Sequence, residues 1–244
     1  MEHWESLCPG GYRFVYDDGL FRPGTDTFLL SSLPRLKPGL RTIDLGCGMG
    51  LLALLLLQRQ PGLTVTGIDL QPAAIRLAEK TAAENGLQDR LVFRAADLRD
   101  VKALFSTGSF DLAICNPPYY PPASGAVSSN NARRTARSEV NCTLEDVCSA
   151  ASYLLRWGGS FCLVHKPERL TDLLCTLRAN GLEPKRLRPV CTAAGDAPSL
   201  VLVEARRGGK PGLAYESPLI LQTADGAPTA EMDAIYFRQQ EDTP

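Results

Sequence analysis

The sequence predicts an α/β fold in which a mostly parallel, seven-stranded sheet carries helices on both faces. Two observations predict it. Apolar strand-like runs alternate with helical stretches from Arg41 to Arg206, and a polar residue follows each of the first four runs. The 244 residues are 44% hydrophobic, which is enough to bury a sizeable core. We expect an N-terminal extension over 1–35, a core domain over 36–210 and a C-terminal extension over 211–244.

The first strand-like run, Leu40–Ile43, leads into a glycine-rich loop before the apolar helical stretch Leu51–Leu57. Such a loop lets the backbone approach a ligand closely and points N–H groups at it. The spacing is Asp-x-Gly-x-Gly-x-Gly, whereas dinucleotide-binding folds use Gly-x-Gly-x-x-Gly. An acidic residue before the first glycine disfavours a diphosphate and favours a cationic or amino-bearing ligand. The predicted ligand-binding residues of this loop are Asp44, Gly46, Cys47, Gly48 and Gly50.

The next two strands, Thr64–Asp69 and Leu91–Ala96, are also followed by carboxylates. Asp69 lies nineteen positions after Gly50, close to the offset at which nucleotide-binding folds place a carboxylate on ribose hydroxyls. Asp97 is placed to accept a hydrogen bond from an adenine amino group. Each aspartate alone could simply cap a helix or form a turn. Taken in order with Asp44, they predict a nucleoside site that also includes the neighbouring residues Leu70 and Leu98.

The fourth strand, Phe110–Cys115, must stop at Asn116-Pro117-Pro118-Tyr119. Neither proline has an N–H to donate and both fix φ, so the ladder cannot continue. The tetrapeptide is a stiff loop at the carboxyl end of a strand, where open parallel sheets bind ligands. The Asn116 side chain and the Pro117 carbonyl can accept hydrogen bonds, and Tyr119 offers an aromatic face. This combination suits a planar group that bears an NH2, and we predict that Asn116, Pro117 and Tyr119 are catalytic.

The rest of the chain continues the alternation of strands and helices. A long polar segment over 121–142 follows the tetrapeptide, and Trp157-Gly158-Gly159 resembles a helix stop. The further predicted elements are a helix over 100–105, a helix over 144–155, a strand over 160–164, a helix over 170–179, strands near Leu187 and Val201, a strand over 215–222 and a helix over 231–238.

Charge is distributed unevenly along a chain whose net charge is −1. From Arg133 to Lys210 there are thirteen basic and eight acidic residues, a surplus of five positive charges. Basic clusters near predicted loops favour contacts with nucleic-acid phosphates, although solvated basic faces are also common. The predicted substrate-binding residues are Tyr119, Tyr120, Arg133, Arg134, Arg137, Lys185 and Arg186.

Cysteine and histidine usage indicates no metal site. The eight cysteines include no Cys-x-x-Cys pair, and His3 and His165 are the two histidines. We interpret the cysteines as reduced thiols that mostly fill the core. The N-terminal residues are polar and broken by Pro9-Gly10-Gly11, which predicts neither a signal peptide nor a membrane span. We therefore expect a cytoplasmic protein with no membrane partner.

Taken together, these motifs resemble the class I S-adenosylmethionine-dependent methyltransferases, over about residues 20–206. Four other segments resemble the bacterial tRNA1(Val) adenine-37 N6-methyltransferase family: 21–30, 136–139, 164–169 and 206–213. The resemblance implies a Rossmann-like fold, S-adenosylmethionine as cofactor and an adenine N6 amine in a tRNA anticodon loop as substrate. It adds Asp26 and Asn116 to the predicted cofactor site. Ser138 stands where the resemblance would place a histidine.

Several alternatives stay open at this point. A ribosomal RNA guanine-N2 methyltransferase has similar donor and acceptor requirements. A protein-glutamine N5-methyltransferase would use the same tetrapeptide, but that resemblance implies a helical domain before the glycine loop. A nicotinamide-dependent oxidoreductase would need the wider glycine spacing and would leave the Asn-Pro-Pro-Tyr stretch unexplained. A non-catalytic Rossmann-like binding module is disfavoured because every predicted site position is intact.

Overall fold

The computed structural model describes residues 1–20, 24–117 and 142–238. Its strands are β1 (Glu2–Ser6), β2 (Arg13–Asp17), β3 (Arg41–Leu45), β4 (Thr64–Asp69), β5 (Leu91–Ala95), β6 (Phe110–Cys115), β7 (Leu155–His165), β8 (Leu182–Cys191), β9 (Leu200–Arg207), β10 (Ala214–Tyr215) and β11 (Leu219–Ile220). Its helices are α1 (Thr25–Ser31), α2 (Leu51–Arg59), α3 (Pro72–Glu84), α4 (Val101–Leu104), α5 (Leu144–Leu154), α6 (Leu170–Ala179) and α7 (Ala230–Ile235).

Strands β3 to β11 form one sheet, which has nine strands within the described residues. The order is β10-β8-β9-β7-β6-β3-β4-β5, and β11 also pairs with β8. Strand β9 runs antiparallel to β7 and β8, and the other pairings are parallel. The mostly parallel sheet predicted from the sequence is confirmed, with seven long strands and two short strands at one edge.

Helices cover both faces of this sheet, as predicted. On one face, α1, α2, α3 and α7 pack into a core that includes buried Leu54, Leu56 and Ala78. On the other face, α5 and α6 pack into a core that includes Leu154, Phe161 and Leu173. Residues 51–57 of α2 are all buried, which explains why this helix is apolar all round rather than amphipathic. The cores hold the loops at the strand ends between two rigid layers.

The N-terminal extension contains a hairpin, β1–β2, that the sequence analysis did not specify. It lies against α3, where the Val15 N–H donates to the Thr81 hydroxyl at 3.2 Å. The Arg13 N–H donates to the Asn85 side chain at 2.8 Å. Strand β1 is mostly polar, and β2 has three consecutive buried residues, Phe14–Tyr16, rather than an alternating pattern. Both strands therefore give a weak sequence signal. The hairpin also depends on contacts with a helix sixty or more residues away.

Several predicted boundaries are wrong. The strand predicted over 160–164 begins at Leu155, the strand predicted over 215–222 is the two short strands β10 and β11, and the helix predicted over 231–238 ends at Ile235. Helix α5 begins with a capping box between Thr143 and Asp146, but it ends at Leu154, and β7 starts directly afterwards. The Trp157-Gly158-Gly159 stretch lies inside β7 rather than at the end of a helix. The register between β6 and β7 shifts there, and Gly158 has a φ of 77°. The glycines therefore accommodate a bulge in a strand, which requires the same backbone freedom as a helix stop.

No helix in the described parts of the chain is both long and apolar enough to cross a membrane.

Candidate active site

The predicted site residues Asp44, Asp69 and Asn116 lie at the carboxyl ends of three neighbouring strands. Strand β3 lies between β4 and β6, and Asp44 is in register with Gly67 on one side and Ile114 on the other. Asp97 follows β5, and the preceding residue, Ala96, donates its N–H to the Asp69 carbonyl at 2.9 Å. The sheet topology therefore brings all four polar residues to the side of the sheet where the parallel strands have their carboxyl ends.

The glycine loop adopts a conformation that other residues would strain. Gly46, Gly48 and Gly50 have φ values of 75°, 54° and 80°. The N–H groups of Gly46 and Cys47 both donate to the Ile68 carbonyl at 2.9 Å, which ties the loop to β4. An added Cβ at Gly46 or Gly48 would meet nothing within 4 Å. The loop backbone therefore borders open space, as a close approach to a ligand requires.

Asp44 carries a buried carboxyl group beneath this loop. Its residue is 1% exposed, and its Oδ2 has no hydrogen-bond partner among the described residues. Burial is the main cause that raises the pKa of Asp44 to about 8, and the neighbouring Asp69 adds to it. A hydrogen bond from the Ala53 N–H opposes this shift. A buried carboxyl group with an unsatisfied oxygen is costly unless a donor or cation reaches it. Asp44 is therefore suited to a positively charged ligand.

Asp69 is held in place by the backbone. Its Oδ2 accepts from the Gly48 N–H and its Oδ1 from the Gln71 N–H, both at 2.8 Å. Burial raises its pKa, although these two hydrogen bonds oppose the shift. A carboxylate oxygen can accept more than one hydrogen bond, so ligand hydroxyls can still bind here. Beside it, Leu70 exposes 48% of its surface and offers an apolar contact.

Asp97 is engaged in a local turn. Its Oδ1 accepts from the Arg99 N–H at 2.9 Å and so caps the short 3₁₀ segment Leu98–Asp100. Its carboxylate also pairs with the Arg99 guanidinium, and this hydrogen bond is the largest cause of its lowered pKa. Leu98 packs against the apolar core below. The proposed contact of Asp97 with an adenine amine stays a prediction, and it would have to share the carboxylate with Arg99.

The Asn116 side chain contacts helix α1 at the end of β6. Its Nδ2 lies 3.4 Å from the Oγ1 of Thr27, a buried residue of α1. The preceding residue, Cys115, donates its thiol to the Leu45 carbonyl at 3.0 Å, which ties the ends of β6 and β3 together. With its amide nitrogen towards Thr27, the Asn116 side chain is fixed against helix α1. The next residue, Pro117, is buried.

Thr27 is a site residue that the sequence analysis missed. It follows Asp26, a predicted cofactor residue, in the first turn of α1. The available signal was its position within the 21–30 segment, but nothing in that segment indicates a partner 89 residues away.

Five predicted substrate-binding residues lie outside the described residues, namely Tyr119, Tyr120, Arg133, Arg134 and Arg137. Their roles, including the catalytic role of Tyr119, stay predictions.

Lys185 and Arg186 lie on β8, four strands from β3, so the two strands are about 19 Å apart at the usual strand spacing. The Arg186 guanidinium donates to Glu204 and Glu216, both at 2.6 Å, and to the Leu33 carbonyl at 3.1 Å. The Lys185 Nζ donates to the Lys210 carbonyl at 3.0 Å. The structure does not bring these two residues to the strand ends that carry Asp44 and Asn116. A phosphate contact at either residue stays a prediction.

Comparison with known proteins identifies the family. A methyltransferase domain model matches residues 36–180. A tRNA1(Val) (adenine(37)-N6)-methyltransferase of Dickeya chrysanthemi is 30% identical over 86% of this chain and 84% of its own length. A protein of the same name from Porphyromonas gingivalis is 34% identical over 76% of this chain and 74% of its own length.

Among solved structures, a predicted O-methyltransferase from Agrobacterium tumefaciens superposes with a TM-score of 0.73, at 21% identity, over 88% of this chain and 96% of its own. At this identity the likeness shows the fold alone, which is that of a Rossmann-like methyltransferase. The sequence matches are more specific than the structural one. The chain therefore belongs to the methyltransferases that use S-adenosylmethionine and, within them, to the tRNA1(Val) (adenine(37)-N6)-methyltransferase family.

Proposed function

We propose that this protein transfers a methyl group from S-adenosylmethionine to the exocyclic N6 amine of adenine 37 in the anticodon loop of tRNA(Val). The proposal rests on the position of the Asn116 amide. It contacts α1 and lies with Asp44, Asp69 and the glycine loop at the carboxyl ends of neighbouring parallel strands. The names of the relatives support the substrate. We place the reaction in the cytoplasm, where tRNA is available.

The residues at the carboxyl ends of β3 and β4 and in the glycine loop fit the cofactor. S-adenosylmethionine, when bound, supplies a methyl group on a positively charged sulfur, and it also carries an amino group and ribose hydroxyls. The unsatisfied Asp44 oxygen suits a cationic group, and the Asp69 carboxylate suits the hydroxyls. The open space beside Gly46 and Gly48 leaves room for close backbone contact. In this assignment Asp26, Cys47, Leu70 and Leu98 line the same site.

The chemistry requires an amine to become nucleophilic. The lone pair of an exocyclic amine is conjugated with the purine ring, and it becomes available only as the nitrogen pyramidalises. Acceptors at the Asn116 side chain and the Pro117 carbonyl would hold the two N–H groups, favour that geometry and stabilise developing positive charge. Tyr119 would stack on the base and fix its plane. Alignment of this kind can contribute several kcal/mol to catalysis.

An anticodon-loop adenine suits this site because it is unpaired. A base must leave its stack before the amine can reach the sheet edge, and this costs least for a nucleotide that is already single-stranded. Arg133, Arg134 and Arg137 would contact phosphates around it, with Lys185 as a more distant contact. Arg186 is already paired with two glutamates, so a phosphate would have to compete with them.

A reaction with purified components tests the proposal. The protein should convert an unmodified tRNA(Val) transcript and S-adenosylmethionine into RNA that yields N6-methyladenosine on digestion. A transcript with guanine at position 37 is the matched control and should gain no methyl group. If ribosomal RNA gained N2-methylguanosine instead, or a protein glutamine were methylated, the proposed substrate would be wrong.

A further inference from the structure

A cavity lies on the face of the sheet that carries α1 and α2. It has a volume of about 1190 Å³ and opens between the β1–β2 hairpin, α1, α2 and the C-terminal segment that includes α7. Small-ligand sites usually measure about 300–1,000 Å³, so a nucleotide fits. Its lining combines the aromatic residues Phe14, Phe28 and Tyr236 with hydrogen-bonding groups of Glu5 and Gln58.

The cavity adjoins the candidate active site. Phe28, in its wall, directly follows Thr27, whose hydroxyl lies 3.4 Å from the Asn116 amide nitrogen. Leu51, also in its wall, directly follows Gly50 of the glycine loop. In each case a residue of the candidate site is directly followed by a residue that lines the cavity: Thr27 by Phe28 in α1, and Gly50 by Leu51 at the start of α2. A polymeric substrate that places one nucleotide at Asn116 can place a neighbouring nucleotide here.

Two stacked aromatic rings and an arginine lie together in the lining of this cavity. The Phe28 and Tyr236 rings are parallel, with centroids 4.3 Å apart and an interplanar angle of 6°. The Arg238 guanidinium lies over the Tyr236 ring, 5.0 Å from its centroid. The Arg238 side chain is 57% exposed, and its ion pair with Asp233 is long at 3.5 Å. A planar guanidinium held on a ring can bind a phosphate or stack on a base.

The backbone that presents Arg238 is held in an uncommon conformation. Phe237 has a φ of 56°, at the left-handed position after a helix where glycine is usual. The Arg238 N–H donates to the Asp233 carbonyl at 2.8 Å, as this helix ending requires. The Phe237 ring packs under the Arg59 guanidinium at 4.6 Å, and Arg59 also donates to the Ile235 carbonyl at 2.7 Å. The fold thus clamps the segment that ends in Arg238, despite a conformation that disfavours phenylalanine.

We propose that this cavity binds one unpaired nucleotide of the RNA substrate, adjacent in sequence to the methylated adenine, with its base inside and Arg238 on its phosphate. The inference rests on the proposed function and extends it to a second nucleotide. Aromatic walls suit a base, and the exposed guanidinium suits a phosphate. Glu5 Oε1 already accepts from the Tyr16 hydroxyl at 2.8 Å and Gln58 Oε1 from the Tyr12 N–H at 3.2 Å. A carboxylate or amide oxygen can accept a second hydrogen bond, so both residues can still bind a base that carries an exocyclic amine.

A double-mutant cycle tests the pairing of Arg238 with one nucleotide. Binding of anticodon stem-loop RNAs would be measured by fluorescence anisotropy, each RNA having an uncharged methylphosphonate in place of the phosphate at one unpaired position beside the target. Arg238→Ala should weaken binding of the unmodified RNA about 10- to 100-fold, as expected for the loss of a hydrogen bond between charged groups. One methylphosphonate position should weaken binding to the wild-type protein but have little further effect on Arg238→Ala. Independent, multiplying effects at every position would overturn the proposal.

Arg94 provides a matched control. It is also an exposed arginine stacked on an aromatic ring, 5.5 Å from the Phe105 centroid, but it lies on β5 and faces the other side of the sheet. Arg94→Ala should bind every RNA as the wild type does. Calorimetric titration of Arg238→Ala with S-adenosylmethionine should give unchanged affinity. Equal losses of RNA binding in both variants would mean that Arg238 contributes only general positive charge.

Cys8 gives an independent readout of occupancy. It lines the cavity, whereas Cys175 is exposed on α6, which packs on the opposite face of the sheet. Bound RNA should slow alkylation of Cys8, followed by peptide mass spectrometry, and leave Cys175 unchanged. If the wild type methylated tRNA(Val) with Cys8 unprotected, the cavity site would be wrong and the proposed function would stand. If it methylated no tRNA, both would be wrong.

Discussion

At the residue scale, the buried carboxyl group of Asp44 makes stability depend on pH. Folding raises its pKa from 3.8 to about 8. Between these two values the unfolded chain has lost the proton and the folded protein has kept it. The contribution of Asp44 to stability is therefore most favourable below about pH 4. It declines as pH rises towards 8, by at most about 1.4 kcal/mol per pH unit.

Asp44→Asn should remove this dependence. The amide oxygen can still accept from the Ala53 N–H, but no charge forms. In urea unfolding from pH 5 to pH 8, the free energy of unfolding of the variant minus that of the wild type should increase with pH. Asp89→Asn, on the exposed surface, is the control and should track the wild type. A constant difference for Asp44→Asn across this range would show that Asp44 is ionised throughout.

In calorimetric titration the same Asp44→Asn variant should bind S-adenosylmethionine more weakly than the wild type does.

Asn116 should affect methyl transfer far more than cofactor binding. Asn116→Ala removes the acceptor proposed to hold the target amine, and we expect a loss of about 100-fold or more in the rate. Thr27→Val keeps the shape of the residue and deletes the hydroxyl 3.4 Å from the Asn116 amide, so a smaller loss should follow. Single-turnover methylation of tRNA(Val) would measure both. Near-wild-type rates in Asn116→Ala would refute its role.

At the element scale, the glycine loop and β4 are packed around one ring. A Cβ on Gly67 would lie 2.6 Å from Phe93 Cδ1, and a Cβ on Gly50 would lie 2.8 Å from Phe93 Cζ. Gly50 also has a φ of 80°, whereas Gly67 is outside the left-handed region. Each alanine substitution should destabilise the protein by about 1–3 kcal/mol through crowding. Phe93→Leu should restore more of the lost free energy of unfolding in Gly67→Ala than in Gly50→Ala. In Gly50→Ala the strained φ of residue 50 remains even when the neighbouring ring is gone. Equal rescue in urea unfolding would contradict this.

Arg186 should act on stability, since it joins β8 to β9, to the residue that follows β10 and to the segment that follows α1. Its guanidinium pairs with Glu204, which is 5% exposed, and with Glu216, and it contacts the Leu33 carbonyl. Arg186→Ala leaves a buried carboxylate unpaired, so we expect a loss of about 3 kcal/mol or more in urea unfolding. Lys185→Ala is the control: it removes a half-buried lysine whose ammonium donates to the Lys210 carbonyl and pairs with no buried carboxylate among the residues that the structure describes, and it should cost less than Arg186→Ala. Weaker RNA binding with unchanged stability in Arg186→Ala would instead support the phosphate contact.

Regular elements were predictable from the sequence where their signal is local. The bounds of α6 and the ends of β4 agree with the predicted ones, because apolar runs and turn residues mark them directly. Asp44, Asp69 and Asn116 were found by their position after strands, and the parallel topology then made them neighbours. The hairpin, the Thr27 contact and the Arg186 network could not be predicted. Each depends on side chains that meet only after distant segments have packed.

At the scale of the whole molecule, a net charge of −1 must still allow binding to a polyanion. Several arginines are already paired, including Arg13 with Glu84 and Arg188 with Glu231. Such pairs leave little positive field for a phosphate backbone. We therefore predict that the affinity for RNA comes from local clusters, namely the arginines of the 121–142 segment and Arg238 in the cavity beside α1.

Salt dependence measures how many of these cations reach phosphates. Each neutralised phosphate releases condensed counterions, so affinity falls as salt rises. Replacing Arg133 and Arg134 together by alanine should make the slope of log affinity against log salt shallower by about one to two units. Binding should weaken for all RNA sequences alike, because phosphate contacts position the RNA without reading its bases. Methylation at low salt and high RNA concentration should partly survive, since Asn116 and Pro117 are untouched. Filter binding across a salt series would decide: an unchanged slope would mean that the two arginines are solvated and that the RNA lies elsewhere.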